Sequence, residues 1–321
     1  MTRVLVTGSA GQIGAELVPL LRVRYGTESV VAAIHRNPGS GLLREGPVEV
    51  LDVSDQGALA KVIENHRVDV VYHLASVLSA VGEKDPQTAW KINMDGLRNV
   101  LDTSRSMGIK RVFWPSSIAV YGADAPRTST PQGAALNPTT MYGVTKVAGE
   151  LLCNYYSLKY GMDVRVLRYP GLISSEAPPG GGTTDYAVEI FYEALTKGRY
   201  TCFLREDTVL PMMYMPDALE GTVAFMEADP SKVKRHLGYN MAAISFSAGE
   251  LAAEIKKHIP GLTVDYAPDS RQKIADSWPM SIEDAEARRD WGWAHKFDLG
   301  SMTSDMLGKL GPRLSSSGKS V

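Results

Sequence analysis

Cysteine is nearly missing from this chain of 321 residues: Cys153 and Cys202 are the only two. They show no paired spacing, so they read as buried, inert thiols in a reduced compartment. The six histidines, at positions 35, 66, 73, 236, 258 and 295, are scattered and have no metal-ligand spacing. Long apolar runs are absent too, which excludes a helix of about 20 residues crossing a bilayer. Charge of one sign is not in excess, since 34 Lys and Arg face 36 Asp and Glu for a formal net charge of -2. That balance argues against nucleic acid or an anionic membrane as partner. The first residues already read as strand, so no signal peptide is expected. Internal repeats are lacking. A soluble cytoplasmic protein is expected, long enough to bury one large core or two modest ones.

What is present is alternation. Residues 3–7 read as a short buried strand, followed at once by Gly8-Ser9-Ala10-Gly11-Gln12-Ile13-Gly14 and an amphipathic helix over 13–24. Strand, glycine turn and helix form the context of a dinucleotide fingerprint. The glycines let the backbone approach a pyrophosphate, and the helix N-terminus stabilises its charge. Strands then follow at 30–34, 48–51, 70–73, 111–114 and 164–168. Helices are expected at 55–66, 86–106 and 141–160 between them. This pattern predicts an α/β fold with a doubly wound parallel sheet, its ligands at the carboxyl ends of the strands. Asp52-Val53, Leu74-Ala75-Ser76 and Ser117 all fall at such ends. Asp52 suits the adenine amino group or a helix cap.

The acid that commonly holds the adenosine ribose is expected about twenty residues past the glycine turn. Ile34 stands there, with His35 and Arg36 after it. The usual signal for NAD over NADP is therefore missing, and Arg36 is a candidate partner for a 2′-phosphate.

Tyr142 and Lys146, four apart on the helix over 141–160, share one face. An ammonium beside a phenol favours the phenolate, so the pair suits a general base for an alcohol. Beyond Arg168 the alternation breaks at Tyr169-Pro170-Gly171-Leu172-Ile173. Residues 178–185 form a glycine-rich turn, with Thr184 as expected cap of a helix over 185–198. Exposed amides at such a turn suit a carboxylate or phosphate. Further helices are expected at 216–228 and 247–259, the latter with a Ser247/Glu250 capping box. A short strand is expected at 238–242, irregular chain around Trp278, and a disordered tail from Ser315.

The glycine fingerprint, Ser117, Tyr142-x-x-x-Lys146 and Tyr169-Pro170-Gly171 resemble the extended short-chain dehydrogenase/reductase family, which includes UDP-galactose epimerase. Residues 113–121, 168–174, 178–187, 211–215 and 271–279 look more narrowly like its L-threonine 3-dehydrogenase group, which oxidises L-threonine to 2-amino-3-ketobutyrate with NAD. The resemblance implies a Rossmann domain over 1–172, rejoined by 215–242, a smaller substrate-binding domain over 173–312, and a tail over 313–321. It implies Ser117, Tyr142 and Lys146 as the catalytic set, Tyr142 being the base. The cofactor would meet Gly8, Gly11, Gln12, Ile13, Gly14, Arg36, Asp52, Val53, Leu74, Ala75, Ser76, Tyr142, Lys146, Tyr169 and Leu172. Ser79, Ser117, Tyr142, Gly182, Thr183, Thr184 and Trp278 would hold the substrate. NAD is the implied cofactor, with NADP kept open by Ile34. A homodimer is implied, with a monomer as the other outcome. Arg98, Asp102 and Arg105 on the long helix stand as either interface ion pairs or a solvated face. The rival activities are a nucleotide-sugar epimerase or dehydratase of the same fold, and a non-catalytic dinucleotide sensor.

Overall fold

A computed structural model describes residues 2–36, 41–234 and 237–317. The chain begins with β1 (Val4–Thr7), α1 (Gln12–Tyr25), β2 (Val30–Ile34), β3 (Val48–Val50), α2 (Gln56–His66) and β4 (Val70–His73). It continues with α3 (Ser79–Lys84), α4 (Pro86–Trp90), α5 (Gly96–Ser106), β5 (Arg111–Ser117), α6 (Met141–Tyr160) and β6 (Val164–Tyr169). Next come β7 (Gly171–Ile173), α7 (Tyr186–Lys197), β8 (Arg199–Cys202), β9 (Val209–Tyr214), α8 (Met215–Glu227) and β10 (Tyr239–Asn240). The last elements are β11 (Ile244–Ser247), α9 (Ala248–His258), β12 (Thr263–Tyr266), α10 (Arg271–Asp276), α11 (Ala285–Trp291) and α12 (Leu299–Ser317).

Seven strands form one parallel sheet in the order β10-β6-β5-β4-β1-β2-β3. Its central strands are buried on both faces, which is why they read as continuous apolar runs. Leu17, Val18 and Leu21 of α1 pack with Phe225 and Met226 of α8 on one face. Leu59 of α2, Leu97 and Leu101 of α5 and Cys153 of α6 pack on the other. This is a Rossmann-like α/β fold. A second layer holds β11-β9-β7, the pair β12-β8, and helices α7, α9 and α12 around Phe191, Leu251, Met302 and Met306.

Four expectations change. The helix over 86–106 is present but carries a π-helical turn at Lys91–Asp95. The break after Tyr169 is one residue long, and β7 follows directly. Thr184 is not the cap of α7, which starts at Tyr186 after Asp185. The start of the expected tail is helix: α12 runs to Ser317, and residues 318–321 lie outside the described residues. Gly300, Gly308, Gly311 and Pro312 give α12 weak intrinsic propensity. It forms because Met302, Met306 and Leu310, spaced by four, are fully buried. The capping box at Ser247 and Glu250 is present in both directions.

The charged residues of α5 each have a neighbour within the chain. Arg98 lies near Asp95, Asp102 accepts from the Tyr156 hydroxyl at 2.7 Å, and Arg105 sits over the Tyr160 ring.

Candidate active site

The glycine turn is shaped by what a side chain would strike. Gly8 has φ +69°, and a Cβ there would lie 2.6 Å from the Ala75 amide nitrogen. A Cβ on Gly14 would lie 2.6 Å from Ser9 Cα. The first therefore lets β1 approach the end of β4, and the second lets α1 pack on the turn. Gly11 caps α1 with no side-chain acceptor, and the first turn of α1 has no acid. The leading amides of α1 are thus open to an anion, which fits the pyrophosphate of a dinucleotide. Gly14 itself lines neither cavity described next.

Two cavities meet at Leu74 and Ser76 along the carboxyl edge of the sheet. The first is lined by Gly8, Gly11, Arg36, Asp52, Val53, Ala75 and their neighbours. The second is lined by Gln12, Ile13, Ser79, Ser117, Tyr142, Lys146, Tyr169, Leu172, Gly182, Thr183, Thr184 and Trp278. The sequence-predicted residues therefore gather along one groove, from the end of β3 to Trp278.

α6 positions the central pair. Thr140 accepts from the Gly143 amide at its N-terminus, and Gly161 closes it in the left-handed conformation. Tyr142 and Lys146 then stand one turn apart in the second cavity. The Lys146 ammonium donates to the Pro115 carbonyl at 2.6 Å and lies 4.5 Å from the Trp114 ring centroid. It lies 5.3 Å from the Tyr142 ring centroid. Burial pushes Lys146 down to about 7 and Tyr142 up to about 12. The group that draws Tyr142 back down is the Ser117 hydroxyl. This corrects the sequence expectation that Lys146 lowers the phenol. With the chain's own groups, desolvation outweighs that attraction. Ser117 also accepts from the Ala119 amide at 3.2 Å, so it caps a turn and faces the base at once.

The glycine-rich turn holds a second correction. The amides of Gly180, Gly181 and Gly182 all donate to one carboxylate oxygen of Asp185, at 2.7, 2.7 and 2.8 Å. The Gly182 amide is therefore committed inside the chain and is not an open seat for a substrate carboxylate. The neighbouring hydroxyls remain: Ser79 and Thr183 are both buried and lie 3.5 Å apart. Asp185, read from the sequence only as the end of the glycine-rich turn, is the acid among the described lining residues of this cavity, as Lys146 is its base. Its signal was its place just after three glycines and two threonines.

Asn93 was also missed. The π-helical turn directs it inward, where it accepts from the Val77 amide at 2.7 Å. It donates to the Val77 carbonyl and the Thr145 hydroxyl, each at 3.1 Å. It thereby ties the loop after β4 to α6 beside Lys146, the kind of place where π turns recur. At the far wall, Trp278 is 6% exposed, directly after α10. Gln272 anchors α10, accepting from the Arg205 amide at 2.7 Å and donating to Thr208 and Asp276.

Known proteins resemble this chain over nearly its whole length. An uncharacterised epimerase/dehydratase of Staphylococcus haemolyticus is 49% identical over 309 residues, 96% of this chain and 97% of that protein. Among solved structures, the GalE-like L-threonine dehydrogenase of Cupriavidus necator in its holo form is 49% identical. Its TM-score is 0.94, covering 96% of this chain and 99% of that one. A monomeric L-threonine 3-dehydrogenase from a metagenome is 45% identical with a TM-score of 0.93, covering 97% and 99%. Residues 4–242 match the NAD dependent epimerase/dehydratase family. With its glycine turn, its groove and its Ser117, Tyr142 and Lys146 set, the chain belongs to that family of nicotinamide-dinucleotide enzymes.

Proposed function

We propose that this chain is an L-threonine 3-dehydrogenase, oxidising L-threonine to 2-amino-3-ketobutyrate with NAD. The observation that carries the reading is the meeting of Ser117, Tyr142 and Lys146 with Thr183, Asp185 and Trp278 in one cavity. The cavity has one acid and one base among its described lining residues, and Trp278 closes one side. These features suit a small amino acid better than a nucleotide sugar.

A bound oxidised nicotinamide supplies the hydride acceptor for the Cβ–H bond and a positive charge. Gln12, Ile13, Tyr169 and Leu172 would hold it, and Gly8, Gly11, Asp52, Val53, Ala75 and Ser76 would hold the rest of the dinucleotide. Ser117 orients the substrate hydroxyl toward Tyr142. Tyr142, as phenolate, takes the hydroxyl proton while the two electrons of the Cβ–H bond leave as hydride. The Ser117 hydroxyl draws the phenol down against the burial that raises it, and a nicotinamide cation would add to that pull when bound. Lys146 is held by Pro115 for the nicotinamide ribose. Ser79, Thr183 and Thr184 supply hydroxyls for the substrate's carboxylate, and Asp185 supplies the acid for its ammonium.

NADH absorbance with L-threonine as substrate, beside a UDP-sugar assayed for epimerisation, tests this reading. Reduction driven by L-threonine alone is expected. Turnover of the UDP-sugar without L-threonine oxidation would replace it with the epimerase reading. Dinucleotide binding with neither turnover would replace it with the sensor.

A further inference from the structure

The adenosine end of the groove has a charge pattern that the proposed reaction leaves unused. In sheets of this kind an acid after the second strand accepts from the ribose 2′-hydroxyl, while an arginine nearby receives a 2′-phosphate. Here β2 ends in Ile34, which is 6% exposed and packed in the apolar cluster beneath α1. It offers no acceptor to a hydroxyl and no negative charge to repel a phosphate.

The cavity at this end has one acid among its described lining residues, Asp52. That carboxylate accepts from the Ser54 amide at 2.9 Å and lies 3.7 Å from His35 Nε2. The Ser54 hydrogen bonds hold its carboxyl below the usual range, and His35 and Lys91 add to the effect. Its charge is thus compensated locally. Arg36 and Lys91 line the same cavity, and neither makes a hydrogen bond or ion pair among the described residues. Two cations without a hydrogen bond or ion pair among the described residues, and a histidine, therefore share a cavity with one compensated carboxylate. A guanidinium matches a phosphate through paired hydrogen bonds, which a neutral ribose cannot exploit.

We propose that this chain binds a 2′-phosphorylated dinucleotide, NADP(H), at least as tightly as NAD(H), with Arg36 as the phosphate ligand and Lys91 in support. The proposal rests on the reading of the groove as a dinucleotide site and concerns only its ribose end.

Fluorescence titration of the full chain with NADPH and with NADH, without substrate, tests it. The expected dissociation constant for NADPH equals or lies below that for NADH. Arg36→Ala weakens NADPH by about tenfold or more, the scale of a lost charge-assisted hydrogen bond, and leaves NADH within about threefold. Ile34→Asp reverses the preference by restoring the acid. Raising the salt concentration weakens NADPH more than NADH, because the added contact is ionic. NADPH binding measurably weaker than NADH in the unaltered chain overturns the proposal. Equal weakening of both by Arg36→Ala overturns it as well. Binding of neither dinucleotide overturns the dinucleotide reading itself, and this proposal with it.

Discussion

Burial keeps the proton on Tyr142 at a pH where the proposed chemistry needs it gone. The phenol sits near 12 and the Lys146 ammonium near 7, both moved by desolvation against the charged form. Phenolate is the active form, so turnover is expected to rise with pH across about 6 to 10. A flat profile over that range, with hydride transfer rate-limiting, counts against a titrating tyrosine. Tyr142→Phe is expected to lower kcat by about a hundredfold or more while dinucleotide binding and Tm persist. Unchanged turnover in that variant would remove Tyr142 from its role. Lys146 gives a separate stability signal. Its folded pKa of about 7 lies below its ordinary 10.5, so the unfolded chain binds more protons between those values. This term therefore makes stability rise with pH from about 7 toward 10.5. Urea unfolding at pH 7 and pH 9 is expected to show a smaller rise in Lys146→Met than in the parent. An identical rise in both would mean that Lys146 stays charged when folded.

Elements act here through the few residues that join them. Asn93 owes its inward direction to the π-helical turn, and four groups of Val77, Thr145 and Ser76 meet its side chain. Asn93→Leu keeps the volume and leaves buried donors and acceptors unmet, a cost of about 1–3 kcal/mol. The expected outcome is a lower Tm and a weaker dinucleotide affinity, since the loop after β4 lines both cavities. Unchanged affinity in a stable variant would make Asn93 purely structural. α12 is the opposite case, an element held by burial rather than by its own sequence. Leu310 is fully buried, and Leu310→Ala is expected to cost about 2–5 kcal/mol in denaturant unfolding. A change below about 0.5 kcal/mol, the range of surface substitutions, would mean that α12 does not dock in solution. Arg313 also donates to Glu176 and to the Tyr192 hydroxyl, so the end of α12 braces the chain between β7 and the glycine-rich turn.

At the scale of the molecule, α6 leaves Val144, Leu151, Tyr155 and Leu158 exposed along one face, Leu158 at 72%. A stripe of this kind suits a second copy of the chain. Light scattering is expected to give twice the chain mass of 34.8 kDa, and Leu151→Lys with Leu158→Lys to return one chain. A single-chain mass for the parent would align it instead with the monomeric relative. Among the described residues, no helix is long and apolar enough to cross a membrane. The parallel sheet was legible in the sequence because strands buried on both faces and helices with one apolar face leave local, periodic signatures. The glycine turn, Ser117, Tyr142 and Lys146 were legible for a related reason: short spacings on regular elements fix which residues share an edge or a face. The strands β7, β8, β9, β11 and β12 were not, because segments of three to six residues owe their pairing to partners far along the chain. Nor was the tail's helicity, which rests on three buried side chains. Only the tertiary structure decided that Asp185 fills the glycine amides, that Asn93 turns inward and that Tyr142 is raised rather than lowered. Each depends on how groups distant in sequence exclude water together, and desolvation has no period that a sequence can display.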